Sequence, residues 1–375
     1  MALSAESDSQ TDAPLRALGM MSGTSLDGVD AALLITDGRA VQETGPWLTR
    51  PYDTATRDAI RATLGGGGDV ARAQRALTLA HAEVVESLLA EAGLSPADID
   101  VVGFHGQTIE HAPAERRTRQ IGDGALLART VGIDVLCDFR SADVAAGGEG
   151  APLAPLYHAA LAAQLERPVA VLNLGGVANV TWIGDGDPIA FDTGPASALI
   201  DDWVRRHTGA AMDTDGALAA AGVVNRAALD ALRADPFFAR PPPKSLDRDH
   251  FAAVAETNLN GLSLADGAAT LVAFTAATVA ACRRHLPAPP RRWLVSGGGR
   301  HNPVLMEALA RALEAPVAPV EAVGWSGDAL EAQAFAFLAV RGLRGLPLSL
   351  PTTTGVPRPL TGGRLFPAPD PARER

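Results

Sequence analysis

Residues 19–35 read GMMSGTSLDGVDAALLI, two apolar runs around a turn of Ser22, Gly23, Thr24, Ser25, Leu26, Asp27, Gly28 and Val29. Glycine lets the backbone approach a bulky anion and exposes its N–H groups as donors. Thr24 and Ser25 add hydroxyl groups, and Asp27 is a hard oxygen ligand suited to hydrated Mg²⁺. This set suits the phosphate tail of a nucleotide, although an ordinary hairpin uses the same residue types. Two more glycine turns follow apolar runs. LNLGGVANV, 172–180, offers the N–H groups of Gly175 and Gly176 beside the amides of Asn173 and Asn179, or else is a glycine bend in a sheet. WLVSGGGRHNPVLMEAL, 293–309, runs through Gly297, Gly298 and Gly299 into a helical pattern. Glycines there admit a flat base or ribose, and a helix N-terminus favours negative charge. The spacing is not GxGxxG, so the dinucleotide fingerprint is not met.

Other residues suit acid–base and sugar chemistry. In FDTGPAS, 191–197, Asp192 ends an apolar run just before Gly194 and Pro195. A carboxylate so placed is a candidate general base. The alternative is a helix cap, for which Thr193 or Ser197 is better placed. His105 and Gln107 of HGQT directly follow another apolar run, and Arg140 and Asp143 lie in DFRSADVAAGGEGAP. All four are hydrogen-bonding groups for a sugar or carboxylate, with Arg140 able to form a fork. Each has a plainer reading: His105 as a core histidine, Arg140 as a surface ion pair. His105 and His111 lack zinc-ligand spacing. Glu331, in SGDALEAQAFAF, is either a cleft carboxylate or one solvated residue on an amphipathic helix.

These groups need elements to carry them. The sequence predicts a strand–turn–strand opening, helices over 52–65 and 70–92, the second closed by Gly93, and strands over 99–104 and 132–137. A helix over 153–165 follows, and at Arg167-Pro168 the pattern restarts. Strands are predicted over 169–174, 177–183, 188–191 and 292–296, with helices over 196–207, 215–221, 225–234, 265–285, 302–313 and 328–340. Each half opens on a glycine-turned hairpin, which predicts two α/β domains around a cleft. The chain has 375 residues, 47% hydrophobic, enough for two cores. A net charge of −11 argues against binding nucleic acid through phosphate neutralisation. Cys137 and Cys282 have no metal spacing and read as reduced thiols in a cytoplasmic protein. No uncharged apolar run reaches about 18 residues, so no transmembrane helix is expected. Residues 1–14 and the PAPDPARER end read as disordered tails.

Taken together, MSGTSLDGVD, GFHGQT, RQIGDGALLA, DFRSADVAAGGEGAPLAP, LNLGGVANV, FDTGP, SGGGRHN and LEAQAFAFLA resemble, in order, the anhydro-N-acetylmuramic acid kinases. The resemblance covers about residues 15–366. It implies two RNase H-like domains of the actin and hexokinase type around a central nucleotide and sugar cleft. The first would span 15–166 and the second 167–341, with about 342–367 packing back on the first. It implies an ATP-dependent kinase, using Mg²⁺, that hydrolyses the ring of 1,6-anhydro-N-acetylmuramate and phosphorylates O6. Residues 22–29 would form the first phosphate loop, with Asp27 as a Mg²⁺ ligand; Asn173, Gly175 and Gly176 the second; and Gly297–Gly299 the adenosine motif. Asp192 would activate water, and His105, Gln107, Arg140, Gly194, Pro195 and Glu331 would line the sugar cleft. A homodimer is common in the family. A kinase for another amino sugar, or a nucleotide-driven switch on the same fold, remain the alternatives.

The sequence departs from the family's pattern at three places. Ala196 and Ser197 follow DTGP where Gly-Asn is common. Gly124 stands where Pro is usual after QIG-(D/N). The PPPKS core diverges at Leu246 and Asp247.

Overall fold

The computed structural model describes residues 13–23 and 25–369; Thr24, residues 1–12 of the expected N-terminal tail and 370–375 of the expected C-terminal tail lie outside the described residues. The first half is built on β1 (Leu15–Met21), β2 (Gly28–Thr36), β3 (Val41–Pro51), β4 (Val101–Phe104) and β7 (Val135–Cys137), with a separate hairpin of β5 (Gln107–Ala112) and β6 (Arg117–Ile121). β1, β2 and β3 form an antiparallel meander, and β4 and then β7 add in parallel beside β1. The second half repeats this plan with β8 (Val169–Leu174), β9 (Val177–Ile183) and β10 (Ile189–Pro195) as the meander, and β11 (Arg292–Ser296) and β12 (Val317–Pro319) parallel to β8. Both sheets therefore share the strand order 3-2-1-4-5 of an RNase H-like unit. β13 (Arg364–Phe366) returns to the first sheet, antiparallel to β7.

Local chemistry explains the helices. Asp69 caps Val70–Ala92 by accepting from Arg72 N, and Gly93 closes it with a left-handed φ of 66°. Leu77, Val84, Val85 and Leu88 on its buried face pack with Leu18 and Met20 of β1. On the second sheet, Ser197–Thr208, Leu264–Cys282 and Pro303–Leu313 bury Leu199, Trp203, Leu271, Phe274, Leu305 and Leu309 against Phe191, Trp293 and Val295. By length and composition the span 264–285 could cross a bilayer, but most of it is buried in this core.

The structure departs from the sequence reading at several elements. β3 is not predicted, because Val41–Pro51 is a polar, largely exposed edge strand containing Gly45 and Pro46. The predicted strand 188–191 continues to Pro195, because Asp192, Gly194 and Pro195 pair with Asn179, Ala178 and Val177. The helix Leu330–Leu343, which the sequence groups with the second half, lies on the first sheet among Ala17, Leu34, Val101 and Leu136. Its other side meets Tyr157, whose hydroxyl donates to Gln333 Oε1 (2.8 Å).

That helix meets the sheet backbone to backbone. Gly19 of β1 and Gly103 of β4 are register partners. A Cβ on Gly19 would lie 1.8 Å from Ala332 O, and one on Gly103 2.2 Å from Phe335 O. Gly19→Ala is therefore expected to cost about 1–3 kcal/mol, whereas Gly186→Ala, where a Cβ meets nothing within 4 Å, should stay within about 0.5 kcal/mol of the parent. Urea denaturation midpoints check both, and an undisturbed Gly19→Ala would contradict the close contact.

Candidate active site

The first glycine turn is anchored by its own side chains. Leu26 adopts a φ of 58°, its N–H donates to Gly23 O (3.2 Å), and its side chain is buried in the core with that of Val29. Ser25 and Asp27 stay exposed. Gly28 lies so close to β3 that a Cβ would sit 2.2 Å from Arg50 O. Ser22 Oγ donates to Gln107 Oε1 (2.6 Å) and accepts from Tyr52 Oη (2.8 Å). The Ser22 hydroxyl and the Gln107 carbonyl are thus spent on each other. Both side chains are buried and tie the turn to the start of β5. Tyr52 is a site residue that sequence reading missed, because its partner lies 30 positions away.

The second and third turns form one surface. The carbonyls of Gly175 and Gly176 accept from the N–H groups of Ser197 and Ala196, each at 3.0 Å. These bonds hold the start of the 197–208 helix, which has no side-chain cap; Thr193 Oγ1 instead donates to Ala178 O (3.2 Å). Neither Thr193 nor Ser197, the better-placed residues in the capping alternative to a base role for Asp192, caps this helix. Gly297, with a φ of 75°, packs on the β8–β9 turn, where a Cβ would lie 2.4 Å from Asn173 Oδ1. A Cβ on Gly298 would meet nothing within 4 Å, so that residue borders open space.

Arg300, another residue missed in the sequence, clamps this turn. Its side chain is almost wholly buried and donates to Gly297 O (3.0 Å), Glu321 Oε1 (3.0 Å) and Asp328 Oδ1 (2.7 Å).

Glu331 joins the halves. It lies in the first turn of the 330–343 helix and accepts from Asn173 Nδ2 (3.3 Å). Its surface opens to solvent, yet protein crowds it elsewhere, so burial and the nearby Asp30 push its carboxyl above the usual range against Arg140 and Asn173. Asp30, in the same stretch as Asp27, is raised in turn by burial and by Asp328 and Asp27, while Thr49 opposes this with a hydroxyl at 2.5 Å. Among the described residues no group of three such ligands forms a metal cage. The repelling carboxylates do fit Mg²⁺, which takes one or two of them and fills its remaining positions with water and phosphate oxygens.

His105 and Arg140 form a pair. Arg140 Nε donates to His105 Nε2 (3.0 Å) and Nη1 to Gly150 O (2.6 Å), while His105 Nδ1 lies 2.8 Å from Gly106 O. Burial first, and then the guanidinium, hold the imidazole well below its usual range. It is neutral, with both nitrogens occupied, so it orients Arg140. Burial lowers Arg140 itself to about 10, and it stays charged at neutral pH. Asp143 is taken up structurally, its carboxylate accepting from Gly150 N (2.7 Å) and Thr354 Oγ1 (2.6 Å).

Asp192 sits where β10 shifts register against β9 between Asp192 and Gly194. Such a bulge re-aims a side chain. A Cβ on Gly194 would press 2.7 Å from Thr278 Oγ1, and Pro195 O accepts from Thr275 Oγ1 (3.1 Å), so the bulge is pinned to the 264–282 helix. The Asp192 N–H donates to Lys244 O (3.0 Å), and Leu246 N–H donates to Oδ2 (2.8 Å). Oδ1 has no hydrogen-bond partner among the described residues. Burial raises the carboxyl to about 7; Glu149 adds to this, while the Leu246 N–H and Lys244 oppose it. The divergence at Leu246 is harmless to this grip, because the contact is its backbone amide. At Gly124, the first residue of its helix, a Cβ would lie 2.6 Å from the Phe366 ring, so β13 closes over the position where the family has Pro.

The structure thus brings Asn173, Gly297, Arg140, His105 and Glu331 into one connected set. It reaches Asp192 through the 147–150 loop, which bonds both Arg140 and, through Glu149, Ser245. It pairs Ser22 with Gln107 apart from that set.

The model of the anhydro-N-acetylmuramic acid kinase family matches residues 15–368. The chain is 62% identical over 366 residues to the anhydro-N-acetylmuramic acid kinase of Rhodospirillum rubrum, covering 96% of each chain. It is 62% identical over 349 residues to that of Paramagnetospirillum magneticum, covering 93% of this chain and 98% of the relative. Against that of Acidiphilium cryptum it is 60% identical over 368 residues, covering 96% and 100%. With both the site and these relatives in view, the chain belongs to the anhydro-N-acetylmuramic acid kinase family.

Proposed function

We propose that the chain uses ATP to convert 1,6-anhydro-N-acetylmuramate to N-acetylmuramate 6-phosphate and ADP, in cell-wall recycling and amino-sugar catabolism. Family membership supports the reaction, and the state of Asp192 supports the assignment of roles. Asp192 Oδ1 takes a proton from water as the water oxygen bonds to C1. The C1–O6 electron pair passes to O6, and the strained bicycle opens. O6 attacks the γ-phosphorus, and the electron pair of the breaking P–O bond leaves with ADP. A carboxylate that titrates near 7, buried and with one free oxygen, is matched to taking a proton at neutral pH.

In this reading the main-chain amides of residues 22–29 and of Gly175 and Gly176 receive the phosphates, and Gly297–Gly299 receives adenosine. Arg140, Glu331, Gly194 and Pro195 line the sugar, while His105 and Gln107 hold Arg140 and Ser22 in place. Asp27, with Asp30 beside it, would hold Mg²⁺, which when bound neutralises charge on the phosphates. We extend the proposal to a cytoplasmic homodimer whose units, 15–166 and the remainder up to the 330–343 helix, close on the ligands.

ADP release should require the anhydro sugar, and solvent ¹⁸O should appear at C1 of the product. Release without any sugar would favour a nucleotide-driven switch, and release with reducing amino sugars alone would favour another kinase. Asp192→Asn should keep nucleotide binding and lower turnover ~10²–10⁴-fold. In the parent enzyme, turnover should fall as the pH drops through about 7, where Asp192 takes up its proton. The raised carboxyl also makes a sign prediction for stability. The unfolded chain loses this proton near pH 4 and the folded chain near 7, so its contribution to stability declines as pH rises across that window. Asp192→Asn escapes that loss and should melt no lower than the parent at pH 8. Arg300→Ala, which frees Gly297 O, should raise KM for ATP with little change in KM for the sugar; equal changes in both would remove Arg300 from the nucleotide side.

A further inference from the structure

Glu149 is a carboxylate near the site that the reaction scheme does not use. Its loop is fixed in the first half. Its N–H donates to Thr354 O (2.7 Å), and its carbonyl lies 3.0 Å from His111 Nε2. The next residue, Gly150, is bonded on both sides, by N–H to Asp143 and by O to Arg140. From this frame Glu149 Oε2 accepts from Ser245 Oγ at 2.5 Å. Ser245 lies between the two residues that grip Asp192: Lys244, whose carbonyl accepts from the Asp192 N–H, and Leu246, whose N–H holds Oδ2. One hydrogen bond therefore runs from the first half to the segment that seats the base in the second.

We propose that Glu149 is a positioning residue for Asp192: bonded to Ser245 across the two halves, it seats the 244–246 segment against β10 and sets a negative charge beside the base. This rests on the reading of Asp192 as the base.

The charges around Asp192 are few. Glu149 disfavours its ionised form, while Lys244 and the Leu246 N–H favour it. The Lys244 ammonium is itself committed elsewhere, donating to Phe237 O (3.0 Å) and lying 4.4 Å from the Phe237 ring centre. Arg284, Arg240, Cys282 and Asp192 surround it electrostatically, and Lys244 and Arg284 in turn face His285, whose ring packs edge-on against Phe191. Arg240 approaches Glu149 only to 4.0 Å and is half exposed, so solvent screens that pair. His111, at the Glu149 carbonyl, is held below its usual range by burial and Arg140, against Glu149 and Asp143. Removing the Glu149 charge leaves burial alone opposed by the Leu246 N–H and Lys244, and Asp192 then ionises at lower pH.

The test is the pH profile of kcat for the parent, Glu149→Gln and Glu149→Ala, with ATP and anhydro sugar saturating. Glutamine keeps an oxygen for Ser245 but carries no charge; alanine removes both. The acidic limb should move down by about half a pH unit or more in both variants. The plateau of Glu149→Ala should also fall about tenfold, with Glu149→Gln restoring most of it. KM for ATP should not move. A limb that stays in place or rises in Glu149→Gln overturns the proposal, whatever the alanine variant does. Undiminished turnover in Asp192→Asn overturns the reading beneath it, and that outcome is separate from the behaviour of Glu149.

Discussion

The contact on which the site depends is between two backbones. Where the 330–343 helix crosses β1 and β4, the Ala332 and Phe335 carbonyls fill the space a side chain would need on Gly19 and Gly103. Interiors packed at this density do not slide continuously, so the helix has one seat. That seat places its N-terminal end at the seam between the halves. There Asp328 reaches Arg300, which holds Gly297 O, and Glu331 reaches Asn173. A packing constraint in the first sheet therefore sets the electrostatics of the glycine turns in the second.

The two halves repeat one strand order but stabilise their glycine turns by different means. In the first, side chains do the holding: Leu26 enters the core, and Ser22 is locked by Gln107 and Tyr52. In the second, main chain holds main chain, through the bonds from Ala196 and Ser197 to Gly176 and Gly175. The first turn consequently presents Ser25 and Asp27 outward, while the second presents little beyond its backbone and Asn173. A duplicated architecture has become an asymmetric cleft, with side-chain oxygens on one wall and peptide groups on the other.

How much was legible in the sequence follows from the range of each interaction. The helix 70–92 was legible to the residue, because Asp69, Gly93 and an apolar stripe are all local signals. β3 was not, since a solvated edge strand loses the alternation that marks a strand. The placement of the 330–343 helix was hidden for the opposite reason: it is buried on nearly every side, so its pattern names no single face. At the candidate site, the placement of Asp192 at a strand end was legible because that run and its Gly-Pro turn are contiguous, but its bulge depends on Thr275 and Thr278 of a distant helix. His105 and Gln107 were recognised as polar groups near the cleft. Their actual work, holding Arg140 and Ser22, depends on partners 35 and 85 positions away.

The acidity of the cleft is the feature that most needs reconciling with a ligand carrying a triphosphate. Asp27, Asp30, Asp328 and Glu331 gather at the seam of a chain whose net charge is already −11. Peptide dipoles and a divalent cation can satisfy the phosphates there, but neither sets the proton affinity of Asp192, on which the proposed base role rests. A carboxylate held by two or three amide donors is too strong an acid to accept a proton from water, and one buried with no donor stays protonated at neutral pH. Asp192 falls between these cases: one amide, from Leu246, grips Oδ2, Oδ1 has no such donor among the described residues, and an adjoining carboxylate and ammonium pull its proton affinity in opposite directions. Its proton affinity is a balance among groups drawn from both halves, which ties the proposed base to the same seam that the glycine-seated helix fixes.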